Sequence, residues 1–309
     1  MKAMAYDEYG TDDVLSLREL PNPKVGPGEV RIQVRRAGVN PVDWKAMAGG
    51  LDGLMDAVFP VVPGWDVAGV VETVGIDAPE FSVGDEVLAY VRKDVLHGGA
   101  FAELVTMNVR GVAPKPTSLS WDEAGGLPLA GLTALRTLDR LGVANGDTIL
   151  IHGGSGGVGS LAVQIAKARG ARVLATCSPS NDAFVEELGA TPVTYGGGVV
   201  EGVRAHAPGG VDVVADFVGG VREVTMAVLA DRGRHASIAD GSVLETGGEW
   251  IWVRPSAAGL IELGRLADAG QLRVPVADVV PLEALHDAFA RSRQGHVRGK
   301  LVVAVADSR

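Results

Sequence analysis

The chain divides by texture. Up to about residue 110, apolar and polar positions alternate in short runs: Glu29 to Ala37, Val67 to Val74 and Glu86 to Val91 each put every second residue on one face. That period predicts half-buried strands, and Pro21, Pro23, Gly26, Pro27, Gly28, Pro60, Pro63, Gly64 and Gly84 punctuate them. Many short strands with such turns point to a barrel or sandwich. From Trp121 the period lengthens, and Ala124 to Leu141 carries apolar residues at helical spacing. Strand and helix then alternate: strand 148–152, helix 158–169, strand 172–176, helix 181–188, strand 211–217, helix 221–230 and strand 235–238. This order predicts a parallel sheet with helices on both faces. A helix over 257–269, a Pro-bounded segment over 274–281, a helix over 282–292 and a strand over 300–305 follow. The last strand has no place in a doubly wound unit and is expected to return to the first domain. The boundaries read from the sequence are 1–120 with 270–309 for the β-rich domain and 121–269 for the alternating one.

The strand Thr148 to His152 runs into Gly153 to Gly159 and then into a helix. Gly154, Gly156 and Gly159 fit G-x-G-x-x-G in the strand–turn–helix setting that gives the pattern meaning. There the backbone amides and the helix N-terminus are offered to a pyrophosphate, so Gly154, Ser155, Gly156, Gly157 and Val158 are candidate dinucleotide contacts. Composition narrows the partners. A net charge of −10 argues against nucleic acid and anionic membrane surfaces. Cys177 is the only cysteine, which excludes an internal disulfide and a cysteine-rich zinc site. The opening residues lack an apolar signal core and no apolar run reaches 18 residues, so a cytoplasmic, membrane-free protein is expected.

Seven segments in order, AGVNPVDWK (37–45), PGWDVAGVV (63–71), FSVGDEV (81–87), GGAFAELV (98–105), GLTALRTL (131–138), IHGGSGGVGSLAVQIAKARGA (151–171) and GHVRGKLVV (295–303), resemble the medium-chain dehydrogenase/reductase superfamily. They are most similar to its zinc-independent, NADPH-dependent quinone oxidoreductase branch. The resemblance implies an α/β protein with a GroES-like β-barrel domain and a doubly wound Rossmann domain, with nicotinamide meeting substrate in a cleft between them. It also implies a homodimer formed edge to edge through the Rossmann sheet, with Glu249 to Val253 as the candidate edge; a buried strand or pocket wall is the other reading of that stretch. Relatives that hold catalytic zinc use two cysteines and a histidine, whereas the matching places here are Asn40, Trp65 and Leu129. An amide, an indole and an isobutyl group do not ligate zinc.

The cofactor type is read at the end of the second Rossmann strand. NAD sites place an acid there to hold the ribose hydroxyls. Here Ser178, Ser180 and Asn181 stand instead, with Asp182 read as a helix-start residue. Neutral donors without a repelling carboxylate suit the 2′-phosphate of NADPH, although the cation common in the family is replaced by Ser180. The resemblance adds Tyr195 beside the adenosine ribose, Thr133, Phe217, Val218 and Ile238 toward the nicotinamide half, and Lys300 among the cofactor contacts. Asn40, Asp43 and Lys45 are the candidates for chemistry: the Asn40 amide to steady a developing oxyanion, Lys45 or water to supply a proton. His152 reads as a structural residue and His97 as exposed. The expected activity is hydride transfer from NADPH to a quinone or an α,β-unsaturated carbonyl. An enoyl-thioester reductase of biosynthetic type and a non-catalytic NADPH-binding sensor are the alternatives.

Overall fold

The computed structural model describes residues 1–306, and its contacts divide the chain into two compact units. One comprises Met1–Leu132, Arg254–Asp268 and the C-terminal stretch from Arg273; the other comprises Thr133–Val253 with Ala269–Leu272. The fold is α/β: a GroES-like barrel unit and a doubly wound Rossmann unit.

In the barrel unit the long strand Glu29–Val39 is the hub. It pairs antiparallel with Asp66–Val74, with Leu104–Asn108 and, at its far end, with Lys300–Ala304. Its alternation buries Val30, Ile32 and Val34 completely, and an irregularity in the ladder between Val34 and Arg36 shifts the phase so that Ala37 is buried next. Lys300–Ala304 thus joins the first unit's sheet, with Val276–Pro281 added beside it in parallel. The Pro-bounded segment is therefore an edge strand, where a missing amide costs no central ladder bond. Gly38 sits where a Cβ would lie 2.6 Å from the Gly125 carbonyl and 2.8 Å from Asp66 Oδ2. Its missing side chain lets the helix Trp121–Gly126 and the Asp66 carboxylate close onto the strand. That helix is separate from Pro128–Arg140, so the single helix expected over 124–141 is two, broken where Pro128 cannot donate to the preceding turn.

The Rossmann unit is a six-stranded parallel sheet in the order Thr191–Thr194, Arg172–Cys177, Thr148–His152, Val211–Asp216, Leu229–Ser237, Glu249–Trp250. Its central strands are buried on both faces, which is why they read as continuous apolar runs. Leu150, Leu174, Val193, Val203, Val211 and Val214 lie in one core cluster. The expected helix over 221–230 ends at Val228, and the chain is already extended from Leu229. The stretch Glu249 to Val253 contributes only Glu249–Trp250 to the sheet. Ile251 is buried, while Trp250 and Trp252 stay 51% and 41% exposed at that edge. Among the described residues no helix is long and apolar enough to cross a membrane.

Candidate cofactor and substrate sites

The Rossmann site is built from the carboxyl ends of neighbouring strands. Thr148–His152 delivers the chain to Gly153, whose φ of 78° is open to glycine at no steric cost. The Gly153 and Gly154 amides donate to the side chain and carbonyl of Thr176, 3.0 and 2.9 Å away, pinning the turn to the next strand. A Cβ on Gly159 would lie 2.1 Å from the Gly153 carbonyl, and one on Gly154 would lie 2.5 Å from Ala175 Cβ. These glycines are required by the turn's own packing. Gly156 differs: a Cβ there meets only the Gly153 carbonyl at 3.4 Å, and the backbone is not left-handed. Among the described residues, the amides of Ser155, Gly157 and Val158 have no hydrogen-bond acceptor in the chain. The turn is thus a cradle of open donors at the start of the helix Gly159–Ala168, which fits a pyrophosphate.

Four of the expected cofactor residues are brought together beside it. Asn181 Nδ2 donates to Ser155 Oγ at 3.2 Å and to Ser178 Oγ at 3.1 Å, and Ser178 and Ser180 share a 3.0 Å hydroxyl bond. Asp182 opens the helix Asp182–Leu188 and accepts from the Cys177 thiol. Tyr195 follows the adjacent strand and is 52% exposed. Phe217, Val218 and Ile238 follow the next two strand ends, Val218 being exposed. Thr133 is buried within the helix Pro128–Arg140, where its carbonyl accepts from Thr137.

One polar residue of this unit was not singled out from sequence. Asp216 is buried at a strand end, accepting from the Val218 and Gly219 amides and from Ser237 Oγ. An acid closing the apolar run VDVVAD was the available signal. His152 was expected to be satisfied, yet its Nε2 is buried without a partner and its Nδ1 lies 3.4 Å from Thr176 Oγ1. Burial drives this imidazole down to about 4, so it is neutral near pH 7. The Cys177 thiol is pushed up to about 12 by burial and by Asp182, which leaves it unreactive.

The barrel unit contains the second site. VNPVDWK runs into a short helix, Pro41–Met47. Asn40 caps it: the Asn40 amide donates to Asp43 Oδ2 at 2.8 Å, three residues on. The Asn40 side chain does not present a free donor. Its Nδ2 donates to Asp66 Oδ2 at 2.9 Å, more weakly to the Gly38 carbonyl, and it is 2% exposed. Asp66 also accepts from the Leu129 amide at 2.6 Å. Lys300 completes the cluster from the last strand, donating to the Val39 carbonyl and to Asn40 Oδ1, with Asp66 Oδ2 3.8 Å away. Asn40 and Leu129, which occupy places of zinc ligands in relatives, therefore meet around a carboxylate, while Trp65 packs edge-on against Tyr90. Among the described residues no group of three or more His, Cys, Asp or Glu could hold a metal.

Burial pushes every ionisable member of the cluster toward its neutral form. It raises Asp43 to about 8, Asp66 adding to the effect, and raises Asp66 to about 6 against the opposing pull of Lys300. It lowers Lys300, whose charge the two carboxylates favour. Lys45 is exposed, its ammonium 5.5 Å from the Trp44 ring. His97 is exposed as expected and bonds the Val58 carbonyl. Asp43, Tyr6, Val62, Trp65, Leu96 and His97 line a small open pocket. Asp66 escaped the sequence reading although an acid amid apolar PGWDVAGVV was the clue.

Known proteins supply the remaining context. An alcohol dehydrogenase GroES-like domain matches residues 26–117, and a zinc-binding dehydrogenase domain matches residues 188–303. The NADPH-dependent alkenal/one oxidoreductase of Arabidopsis thaliana chloroplasts is 35% identical over 98% of this chain and 79% of its own. The 2-methylene-furan-3-one reductase of Solanum lycopersicum is 34% identical over the same shares. Among solved structures, the quinone oxidoreductase of Coxiella burnetii superposes with a TM-score of 0.88 at 32% identity, covering 99% of both chains. With the parallel sheet, the glycine cradle and the barrel in place, this similarity along nearly its whole length shows that the chain belongs to the medium-chain dehydrogenase/reductase superfamily, as an oxidoreductase with a nicotinamide cofactor.

Proposed function

We propose that the protein is an NADPH-dependent reductase that passes hydride to a quinone or to the β-carbon of an α,β-unsaturated carbonyl, without zinc. The observation that carries the cofactor reading is the open-amide glycine turn flanked by Ser155, Ser178, Ser180 and Asn181. No carboxylate replaces Ser178 to repel a 2′-phosphate, and the similarity to alkenal/one and quinone oxidoreductases supports the substrate class. When bound, NADPH supplies the hydride. In this reading the Ser155, Gly157 and Val158 amides hold the pyrophosphate, the serines and Asn181 bond the 2′-phosphate, and Tyr195 covers the adenosine. Thr133, Phe217, Val218 and Ile238 shape the nicotinamide end. Asn40 orients Asp43 and Asp66, and Lys45 lends a solvated charge. The exposed edge at Trp250 is the proposed dimer contact, and the cytoplasm the proposed location. NADPH oxidation over quinones, enones and enoyl thioesters tests the reading: turnover with the first two supports it. Thioester turnover alone would make it a biosynthetic enoyl reductase, and tight NADPH binding with no turnover would make it a sensor.

Two expected results follow from this assignment. Elemental analysis should find no stoichiometric zinc, and activity should persist in chelators, because Asn40, Trp65 and Leu129 offer a metal nothing to bind. Activity lost in a chelator and restored by zinc would overturn the zinc-free mechanism. NADPH should be preferred over NADH by roughly 10- to 100-fold in kcat/KM, about 1.4–2.7 kcal/mol. Ser180→Arg should widen the ratio through a charge-assisted phosphate bond. Ser178→Asp should shrink or invert it by repulsion. A ratio that neither change moves would place the ribose elsewhere.

A further inference from the structure

Asp216 closes the strand Val211–Asp216, level with His152 at the end of the neighbouring strand. Three donors meet its buried side chain. Oδ1 accepts from the Val218 amide at 2.8 Å and from the Gly219 amide at 2.9 Å, and Oδ2 accepts from Ser237 Oγ at 2.7 Å. Ser237 Oγ in turn accepts from the Ala239 amide at 3.1 Å and from the Asp240 amide at 3.0 Å. Those two bonds use both lone pairs of the hydroxyl, so its hydrogen must find an acceptor opposite. One buried carboxylate therefore fixes the loop after its own strand and, through a single hydroxyl, the loop after the next.

The strand order sets what these two loops face. From Thr148–His152 the chain moves first to one side of the sheet, into Arg172–Cys177 and Thr191–Thr194. It then moves to the other side, into Val211–Asp216, Leu229–Ser237 and Glu249–Trp250. The order reverses between Thr148–His152 and Val211–Asp216, and in such sheets a dinucleotide crosses at the reversal, outside the carboxyl ends of the strands. The glycine turn stands at that point. Ser178, Ser180 and Asn181 lie on the Arg172–Cys177 side, tied to the turn through Ser155. A dinucleotide with its adenosine there has its other half at the ends of Val211–Asp216 and Leu229–Ser237. The loops lie against the turn and against each other: a Cβ on Gly153 would be 2.6 Å from Val218 Cγ1, and one on Gly219 would be 3.2 Å from Ala239 Cβ. Gly219 and Gly220 have φ of 83° and 70°, so the first loop has little conformational preference of its own. It depends on the carboxylate for its shape.

We propose that Asp216 and Ser237 are positioning residues for the nicotinamide half of the cofactor, acting through the loops they hold rather than by contact. This deepens the NADPH reading above and rests on it. The backbone carrying Phe217, Val218 and Ile238 is fixed by this pair, whereas the adenosine side is held by bonds among its own serines and Asn181. An amide at position 216 is no substitute. With its oxygen toward Val218 and Gly219 it sets an N–H against a hydroxyl whose lone pairs are taken, and turned over it sets an N–H against two backbone donors.

The experiment titrates the whole protein with NADPH and with adenosine 2′,5′-bisphosphate, which has the adenosine and 2′-phosphate but no nicotinamide. Asp216→Asn should weaken NADPH binding by about 10-fold and leave the Kd for the bisphosphate at its wild-type value. Ser237→Ala keeps the Asp216 bonds to Val218 and Gly219 and should show the same split at smaller size. Wild-type NADPH affinity in Asp216→Asn would overturn the assignment. An equal loss for both ligands would overturn it too, since that marks a general loosening of the unit. If Asp216→Asn does not fold, Ser237→Ala decides by the same two titrations, an unchanged ratio of the two affinities overturning the proposal. A wild-type protein that binds neither ligand would instead overturn the NADPH reading, and this proposal with it.

Discussion

Lys300→Met is expected to destabilise the barrel unit by about 3–5 kcal/mol, because it strips the one cation from a buried cluster that retains the Asp66 carboxylate. The Val39 carbonyl and Asn40 Oδ1 also lose their donor. Each orphaned acceptor adds to the loss through its uncompensated desolvation. The fall should be visible in the urea midpoint and as a lowering of Tm by roughly 10 °C. Asp66→Asn added to Lys300→Met should recover much of it, since an amide oxygen still accepts from Leu129 without needing a counter-charge. Assigning Lys300 to the cofactor, as the resemblance does, predicts another pattern: weaker NADPH binding with stability unchanged. Equilibrium unfolding and an NADPH titration on the same variants separate the two, and wild-type stability in Lys300→Met would dismiss the structural role.

Gly156→Val should abolish measurable NADPH binding, at least a 100-fold loss or about 2.7 kcal/mol, while leaving the unfolding transition where it is. The turn tolerates a Cβ at this position, whose nearest neighbour would be the Gly153 carbonyl at 3.4 Å. The backbone there is not left-handed, so the loss comes from simple occupation of the cradle and not from strain. Gly159→Val is the contrasting variant, since its Cβ would lie 2.1 Å from a backbone carbonyl. It should lose both binding and stability. Unchanged NADPH affinity in Gly156→Val would mean that the pyrophosphate lies elsewhere.

The Rossmann sheet was legible because its signals are local. Central parallel strands bury both faces and so appear as apolar runs such as TILIH and VDVVAD, and the glycine turn lies in one continuous stretch. Boundaries were less legible where tertiary pairing decides them: the helix read over 221–230 takes in Leu229 and Ala230, yet Leu229–Ser237 is held extended beside Val211–Asp216. The short strands Lys2–Ala5, Ala57–Val62 and Leu96–Gly98 left little pattern because each spans only a few residues and belongs to a two-stranded sheet apart from the main one. The segment VNPVDWK carried its own helix signals, Pro41 at the first position and Asn40 with Asp43 as a capping pair, which the sequence reading did not use.

By itself the sequence determined the α/β class, the glycine cradle and the neutral serine–asparagine cluster after the second strand, each from residues a few positions apart, so spacing is enough; the reading of Asn40, Trp65 and Leu129 as places of zinc ligands came from the family resemblance instead. Only the tertiary structure brought Lys300 from the last strand onto Asn40, placed Asp66 between Asn40 and Leu129, and left Asp43 with an unpartnered oxygen. Those contacts join positions up to 260 residues apart. Whether a carboxyl is charged depends on the donors and water around it, and no local pattern encodes that environment.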